Sequence, residues 1–148
     1  MLNAGLREQF QEFFNEDDSF ALGICNGCQM LAQMAPIIPG AEHWPKFVRN
    51  GSEQFECRTA LVEAMDTPSI FFKGMEKTRL PIVVAHGEGF AQFKDEAQFD
   101  AAQSLVTLRF VDGHGAATET YPLNPNGSPG GITGLTTEDG RFNVLMPH

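Results

Sequence analysis

Long apolar runs are missing from this 148-residue chain. None approaches the roughly 20 residues a helix needs to cross a bilayer, so no membrane span is expected. The N-terminal hydrophobics are interrupted by Arg7, Glu8 and Glu12, which is not the pattern of a secretory signal. Basic side chains are scarce, ten against nineteen acidic ones, and the net charge of -9 would repel the phosphates of nucleic acid. Three cysteines are too few, and odd in number, for a disulfide framework; they point to a reducing compartment, with the cytoplasm expected. One Trp and one Tyr stand against thirteen Phe, so the core is expected to be built on phenylalanine. The length suits one domain over residues 1–148 with a sizeable core.

What is present is concentrated in Leu22-Gly23-Ile24-Cys25-Asn26-Gly27-Cys28-Gln29-Met30-Leu31. Phe20 to Ile24 reads as a short strand of the buried type. From Gly27 onward Cys28, Leu31, Ala32 and Ala35 recur at helical spacing until Pro36 stops the helix. Cys25 therefore falls on a sharp strand-to-helix elbow, with Gly23 and Gly27 removing the Cβ atoms that would crowd the turn. A side chain on such an elbow projects beside the unpaired N–H groups that begin the helix. Those donors and the helix dipole favour a thiolate, the reactive form of cysteine. Three readings compete with a covalent nucleophile: a core cysteine, a Cys25–Cys28 redox pair, and half of a zinc site. Zinc would need about four ligands, and Cys57 and His43 show no second paired spacing. Cys28 lies on the apolar stripe of the helix and reads as core, which orders the readings as nucleophile, redox pair, metal.

Leu2, Leu6, Phe10 and Phe13 form one face of an opening helix. Pro36 to Pro45 reads as an irregular loop. Strands are expected over Phe55–Met65, Ser69–Phe72 and, more thoroughly buried, Leu80–Ala85, with Phe90–Phe93 continuing the last beyond a kink bounded by Gly87 and Gly89. Asp95 to Ser104 reads as a loop or short helix. Hairpins are expected around Asp112-Gly113-His114-Gly115, between Leu105–Val111 and Ala116–Tyr121, and around Glu138-Asp139-Gly140, between Ile132–Thr136 and Arg141–Met146. The class is α/β. Both ends read as abrupt: a helix with no strand before it, and a strand that stops at Pro147-His148.

His86-Gly87-Glu88 spells a His-x-acid at a strand end, and a His at such an end can line the crevice of an α/β sheet; the competing reading is a bulge with His86 serving local backbone. Arg49, Asn50 and Ser52 make a donor-rich loop suited to a substrate carboxylate or amide, or a plain polar turn on Asn50-Gly51. Glu53 and Glu56 could take a substrate amino group or be surface acids.

Gly23-Ile24-Cys25-Asn26-Gly27-Cys28-Gln29 resembles the nucleophile motif of class I glutamine amidotransferases. Four further segments resemble one branch of that family, the glutaminase domain of the large single-chain phosphoribosylformylglycinamidine synthases. They are Arg49 to Arg58, Ala85-His86-Gly87-Glu88-Gly89, Tyr121 to Pro129 and Met146-Pro147-His148. The matches run in order from about Asn3 to the last residue.

The resemblance implies a flavodoxin-like three-layer fold and a thiol glutaminase. Cys25 would attack the side-chain amide of L-glutamine and His148 would act as general base. Gln29 would help hold the substrate, with Asn50, Ser52 and His86 as further candidates for the pocket. Asn26 N–H would supply part of the oxyanion hole. No cofactor or metal is implied for this domain. ATP and Mg2+ are implied for a synthetase domain of the same parent polypeptide, which takes the ammonia to convert formylglycinamide ribonucleotide to the amidine. The family's triad carries a Glu two places beyond the residue matching His148, and a further oxyanion strand before the residue matching Met1. The chain is therefore expected to be an internal slice of the domain, with little glutaminase activity alone. The alternatives are a non-catalytic docking domain and a C-x-x-C redox module of the same class.

Overall fold

The computed structural model describes residues 4–148. It is an α/β fold built on a curled, six-stranded mixed sheet. The strands are β1 (Ala21–Ile24), β2 (Lys46–Val48), β3 (Glu56–Ala64), β4 (Arg79–His86), β5 (Phe90–Gln92), β6 (Val106–Phe110), β7 (Ile132–Thr136) and β8 (Phe142–Leu145). The helices are α1 (Ala4–Asn15), α2 (Asn26–Met34) and α3 (Glu96–Ala102). The large sheet runs β1-β8-β7-β6-β3-β4, and β2 pairs with β5 in a separate two-stranded ribbon. Among the described residues only β1 and β8 run parallel; the remaining pairs are antiparallel.

Alternation along β8 divides the core. Phe142 and Val144 face a cluster shared with Phe14, Leu31, Met34, Ile132 and Leu135, where α1 and α2 pack. Leu145 faces a second cluster with Val62, Val84, Leu108 and Phe110, covered by Phe72 and Met75. The expected phenylalanine core is present only in part: Phe14 meets Phe142 edge-on at 5.2 Å between centroids and stacks on Phe10 at 5.9 Å, but Phe13, Phe20 and Phe55 are exposed and most buried apolar residues are aliphatic. The face of α1 is rotated from the one read in the sequence. Phe14 is 1% exposed, whereas Phe13 and Leu6 are largely at the surface, and Leu2 lies outside the described residues. Phe10 and Phe14 are one turn apart and meet the sheet together.

The strands differ from expectation mainly at the edges. β1 starts at Ala21, and its apolar residues are not enclosed: Phe20 is 58% exposed, and Leu22 and Ile24 are also at the surface. β1 is an edge strand, and α2 covers only the face bearing Ala21 and Gly23. β4 is the other edge and is half-buried rather than enclosed, with Val83 outside and Val84 inside. Ser69–Phe72 is no strand. It bends because Ser69 Oγ donates to Asn143 Oδ1 at 2.5 Å and Ile70 N–H donates to Gly140 O at 3.1 Å, which pin it against the β7–β8 turn. β5 does not extend β4; it turns away after Gly89 and pairs antiparallel with β2. The second arm of the Asp112–Gly115 hairpin reduces to one bridge, Val111 to Ala117. The β7–β8 hairpin and the short helix α3 match the sequence reading.

Candidate active site

β1 and β8 end side by side, with Ile24 opposite Leu145 and Cys25 N–H donating to Leu145 O at 2.9 Å. Ligand crevices in α/β sheets lie beyond the carboxyl ends of parallel strands. Cys25 follows the end of one such strand, and Pro147-His148 follows the end of the other. His148 is exposed, its backbone N–H donating to Val83 O at 3.1 Å.

Cys25 has φ 53° and ψ -108°, a region that side-chain-bearing residues avoid at a cost of about 1–3 kcal/mol. The elbow holds it there from both sides. Its N–H is tied to β8, and its C=O accepts from Gln29 N–H at 3.2 Å to begin α2. Gly23 is required by contact: a Cβ there would sit 2.6 Å from Gly27 O and 2.7 Å from Leu31 Cδ1. Gly27 plays a different part from the one read in the sequence. A Cβ at Gly27 would meet nothing within 4 Å, so it relieves no crowding in the turn; it borders open space instead.

That space is a cavity of about 510 Å³ lined by Asn26, Gly27, Gln29, Met30, Gln33 and Glu88. Gln29 Nε2 donates to Glu88 Oε2 at 2.7 Å and, more distantly, to Phe47 O at 3.4 Å. Cys28 faces away, fully buried in the core, and burial first, with Cys25 beside it second, pushes its thiol well above the ordinary value. A thiol held protonated is a poor metal ligand and a poor partner in exchange. Cys57 is exposed on β3. Among the described residues no group of three or more His, Cys, Asp or Glu is placed to hold a metal.

Three of the four family-like segments beyond the elbow interlock beside this cavity. Asn50 is 2% exposed and clamps the turn after β4. Its N–H donates to Gly87 O, its Nδ2 to His86 O and Gln54 O, and its Oδ1 accepts from Gly89 N–H, all within 3.0 Å. Both amide hydrogens being used, Asn50 braces the loop and has no donor left for a ligand. Gly51 N–H donates to Asn126 O at 2.9 Å, while Ser128 accepts from Ala91 N–H and donates to Gly89 O. Ser52 Oγ accepts from Gln54 N–H at 3.4 Å within its own turn. His86 is enclosed, with Nε2 2.9 Å from Asn126 Oδ1. Glu56 is buried against Arg58, 2.7 Å away, which itself donates to Tyr121 OH. The sequence reading missed Glu88 as a cavity residue and Asn126 and Ser128 as braces. The glycines on both sides of Glu88 were the available signal, because a turn closed that tightly leaves its one side chain nowhere to go but outward.

Burial lowers the pKa of His86 from its ordinary 6.5, with the neighbouring His148 adding to the effect and the Asn126 hydrogen bond opposing it. The unfolded chain therefore binds this proton more readily than the folded one. Stability from the neutral imidazole is present above 6.5 and is lost as pH falls through that value towards the lower folded one. Denaturant midpoints measured down that range are expected to fall, and His86→Gln, which can still donate to Asn126 and does not titrate, is expected to flatten the decline.

A family model described as a CobB/CobQ-like glutamine amidotransferase domain matches residues 1–148. A solved chain from the structure of PurLQS from Thermotoga maritima is similar, at 26% identity and a TM-score of 0.62 over 97% of this chain. The match covers 54% of that solved chain, so this chain spans about half its length. No helix among the described residues is long and apolar enough to cross a membrane.

Proposed function

The chain belongs to the CobB/CobQ-like glutamine amidotransferase domain family, and from that premise we propose that it releases ammonia from L-glutamine through a thioester on Cys25. The observation that carries this reading is the backbone of Cys25, held at positive φ between a strand end and a helix start, directly before Asn26 and Gly27, which line the cavity. Structures retain such strain where a reacting group must be presented. The Cys25 thiolate attacks the side-chain carbonyl carbon, and the oxyanion that forms accepts from Asn26 N–H at the head of α2. His148 supplies the proton that lets ammonia leave, then takes one from the water that hydrolyses the thioester and frees glutamate. Gln29 holds the substrate from the floor of the cavity. This domain uses no cofactor.

The ammonia passes to a synthetase domain of the same parent polypeptide, which uses ATP and Mg2+ to convert formylglycinamide ribonucleotide to formylglycinamidine ribonucleotide in purine biosynthesis, in the cytoplasm. The five motif segments and the similarity to a PurLQS chain support this assignment. The redox alternative is disfavoured by Cys28, whose buried, protonated thiol cannot serve as a ready exchange partner. The test follows the nitrogen. With the synthetase, ATP, Mg2+ and glutamine carrying heavy nitrogen in its amide, the label is expected in the amidine product. Label that stays in glutamine, or is released as ammonia while the ribonucleotide is untouched, would overturn the pathway assignment.

A further inference from the structure

A second cavity, of about 360 Å³, shares no lining residue with the one beside the elbow. It has room for on the order of ten heavy atoms, at roughly 30 Å³ for each water-sized group. Its wall is mainly apolar, with Phe90 from β5, Phe93 just after it, Phe99 from α3, and Pro129 beside them. Phe93 and Phe99 stand at 87° with 5.3 Å between centroids, so the two rings form a corner. The corner is fixed from behind. Ala91 N–H donates to Ser128 Oγ at 3.0 Å, which ties β5 to the segment carrying Pro129, and β5 is paired with β2 along its length.

The charged residues on this cavity are all acids: Asp95, Glu96 and Glu119. Two of them have local work. Asp95 caps α3 by accepting from Gln98 N–H at 2.8 Å, and Lys94 lies 3.8 Å from its second oxygen. Glu96 stands in the first turn of α3, where the helix dipole favours an acid. Glu119 has no helix to serve. Its Oε1 accepts from Gly130 N–H at 2.6 Å, which holds an otherwise exposed side chain at the cavity. Its Oε2 has no bonded partner among the described residues. Arg109 does not answer it, because its guanidinium is committed to Gly130 O at 2.7 Å and Gln103 Oε1 at 2.6 Å.

An aromatic corner beside an unpaired carboxylate selects for one kind of ligand. Aromatic rings attract cations, a carboxylate accepts from an ammonium, and hydrocarbon gains by leaving water. We propose that this cavity binds a primary organic ammonium carried on a short apolar chain or ring. Its hydrocarbon lies against Phe90, Phe93 and Phe99, and its nitrogen meets Glu119 Oε2. The site is separate from glutamine hydrolysis and stands whether or not Cys25 is the nucleophile.

Three probes of similar shape test it, by heteronuclear NMR titration of the full chain. They are 2-phenylethylamine, which is protonated at neutral pH, 2-phenylethanol, which is neutral, and phenylacetate, which is an anion. The ammonium is expected to shift the amides of residues 90–99 and 119 and to bind about 3–30-fold more tightly than the alcohol, with no binding of phenylacetate. Glu119→Gln keeps an acceptor for Gly130 N–H and removes the charge. It is expected to lose most of that ratio and to leave the alcohol's affinity unchanged. Equal affinity for the ammonium and the alcohol in the unsubstituted chain would overturn the proposal, reducing the cavity to an apolar cleft. So would a preference that survives intact in E119Q, which would be the net charge of -9 acting at large. Shifts confined to other residues, or absent altogether, would overturn it too.

Discussion

Made within the full parent polypeptide, Cys25→Ala is expected to lower glutamine-dependent ammonia release by on the order of 10⁴–10⁶-fold, the range found when a covalent nucleophile is removed. The fold should survive, because Cys25 is only half-buried and its backbone is held by bonds that do not involve sulfur: its N–H to Leu145 and its C=O from Gln29. Cys25→Gly sharpens the point. Glycine adopts φ 53° without penalty, so this variant is expected to be as inactive as Cys25→Ala and more stable than the parent by about 1 kcal/mol or more. A gain in stability coupled to loss of ammonia release identifies strain kept for reactivity. Cys28→Ala, which removes the buried thiol and not the exposed elbow, is expected to retain release while losing some stability through a core void. Ammonia is read with a coupled dehydrogenase assay, and stability by urea denaturation.

Gly23→Ala should also lower activity, by less and by a different route. The added methyl would press on Gly27 O, which is backbone, and on Leu31 Cδ1, where β1 and α2 meet. Leu31 can move only by disturbing the core it shares with Met34 and Val144. Overpacking of this kind costs about 1–3 kcal/mol. The larger consequence is geometric. Pushing α2 from β1 shifts Cys25 relative to Asn26 N–H and the cavity, and a displacement of roughly 1 Å can cost about 10²-fold in rate. Lowered Tm together with a lower rate in Gly23→Ala, set against small changes in Gly27→Ala where the Cβ meets open space, would confirm the division of labour between the two glycines.

The elbow could be read from the sequence because it is a local feature: a short apolar run, a glycine, a cysteine and a helical stripe are contiguous. The β7–β8 hairpin could be read for the same reason, with Glu138-Asp139-Gly140 marking its turn. Exposure could not. Phe20, Leu22 and Ile24 have the composition of an enclosed strand, and only the strand order shows that β1 stands at an edge with one covered face. Phe13 and Phe14 are adjacent and chemically identical, so which one is buried is settled by where Phe142 sits. Phe90 to Phe93 read as a continuation of β4, yet whether it does so depends on β2, a three-residue strand too short to announce itself.

The site divides in the same way. Cys25, Asn26 and Gln29 stand together because they are neighbours in sequence around one bend. Asn50 and His86 were read as candidates for the pocket, and the structure uses both as internal bracing, with Asn126 and Ser128 as their partners. A polar residue type tells what bonds it can make, and only its distant neighbours decide whether those bonds face a ligand or the loop itself. Glu88 is the converse case, an acid in a glycine-bounded turn that the braces leave standing in the cavity.

The chemistry of Cys25 can be trapped outright. The protein is mixed with glutamine, quenched in acid during turnover, digested and mapped by mass spectrometry. One γ-glutamyl group on the peptide containing Cys25, removable by hydroxylamine as a thioester must be, is the expected result. Acylation confined to the exposed Cys57, or none on either thiol while ammonia is released, would contradict it.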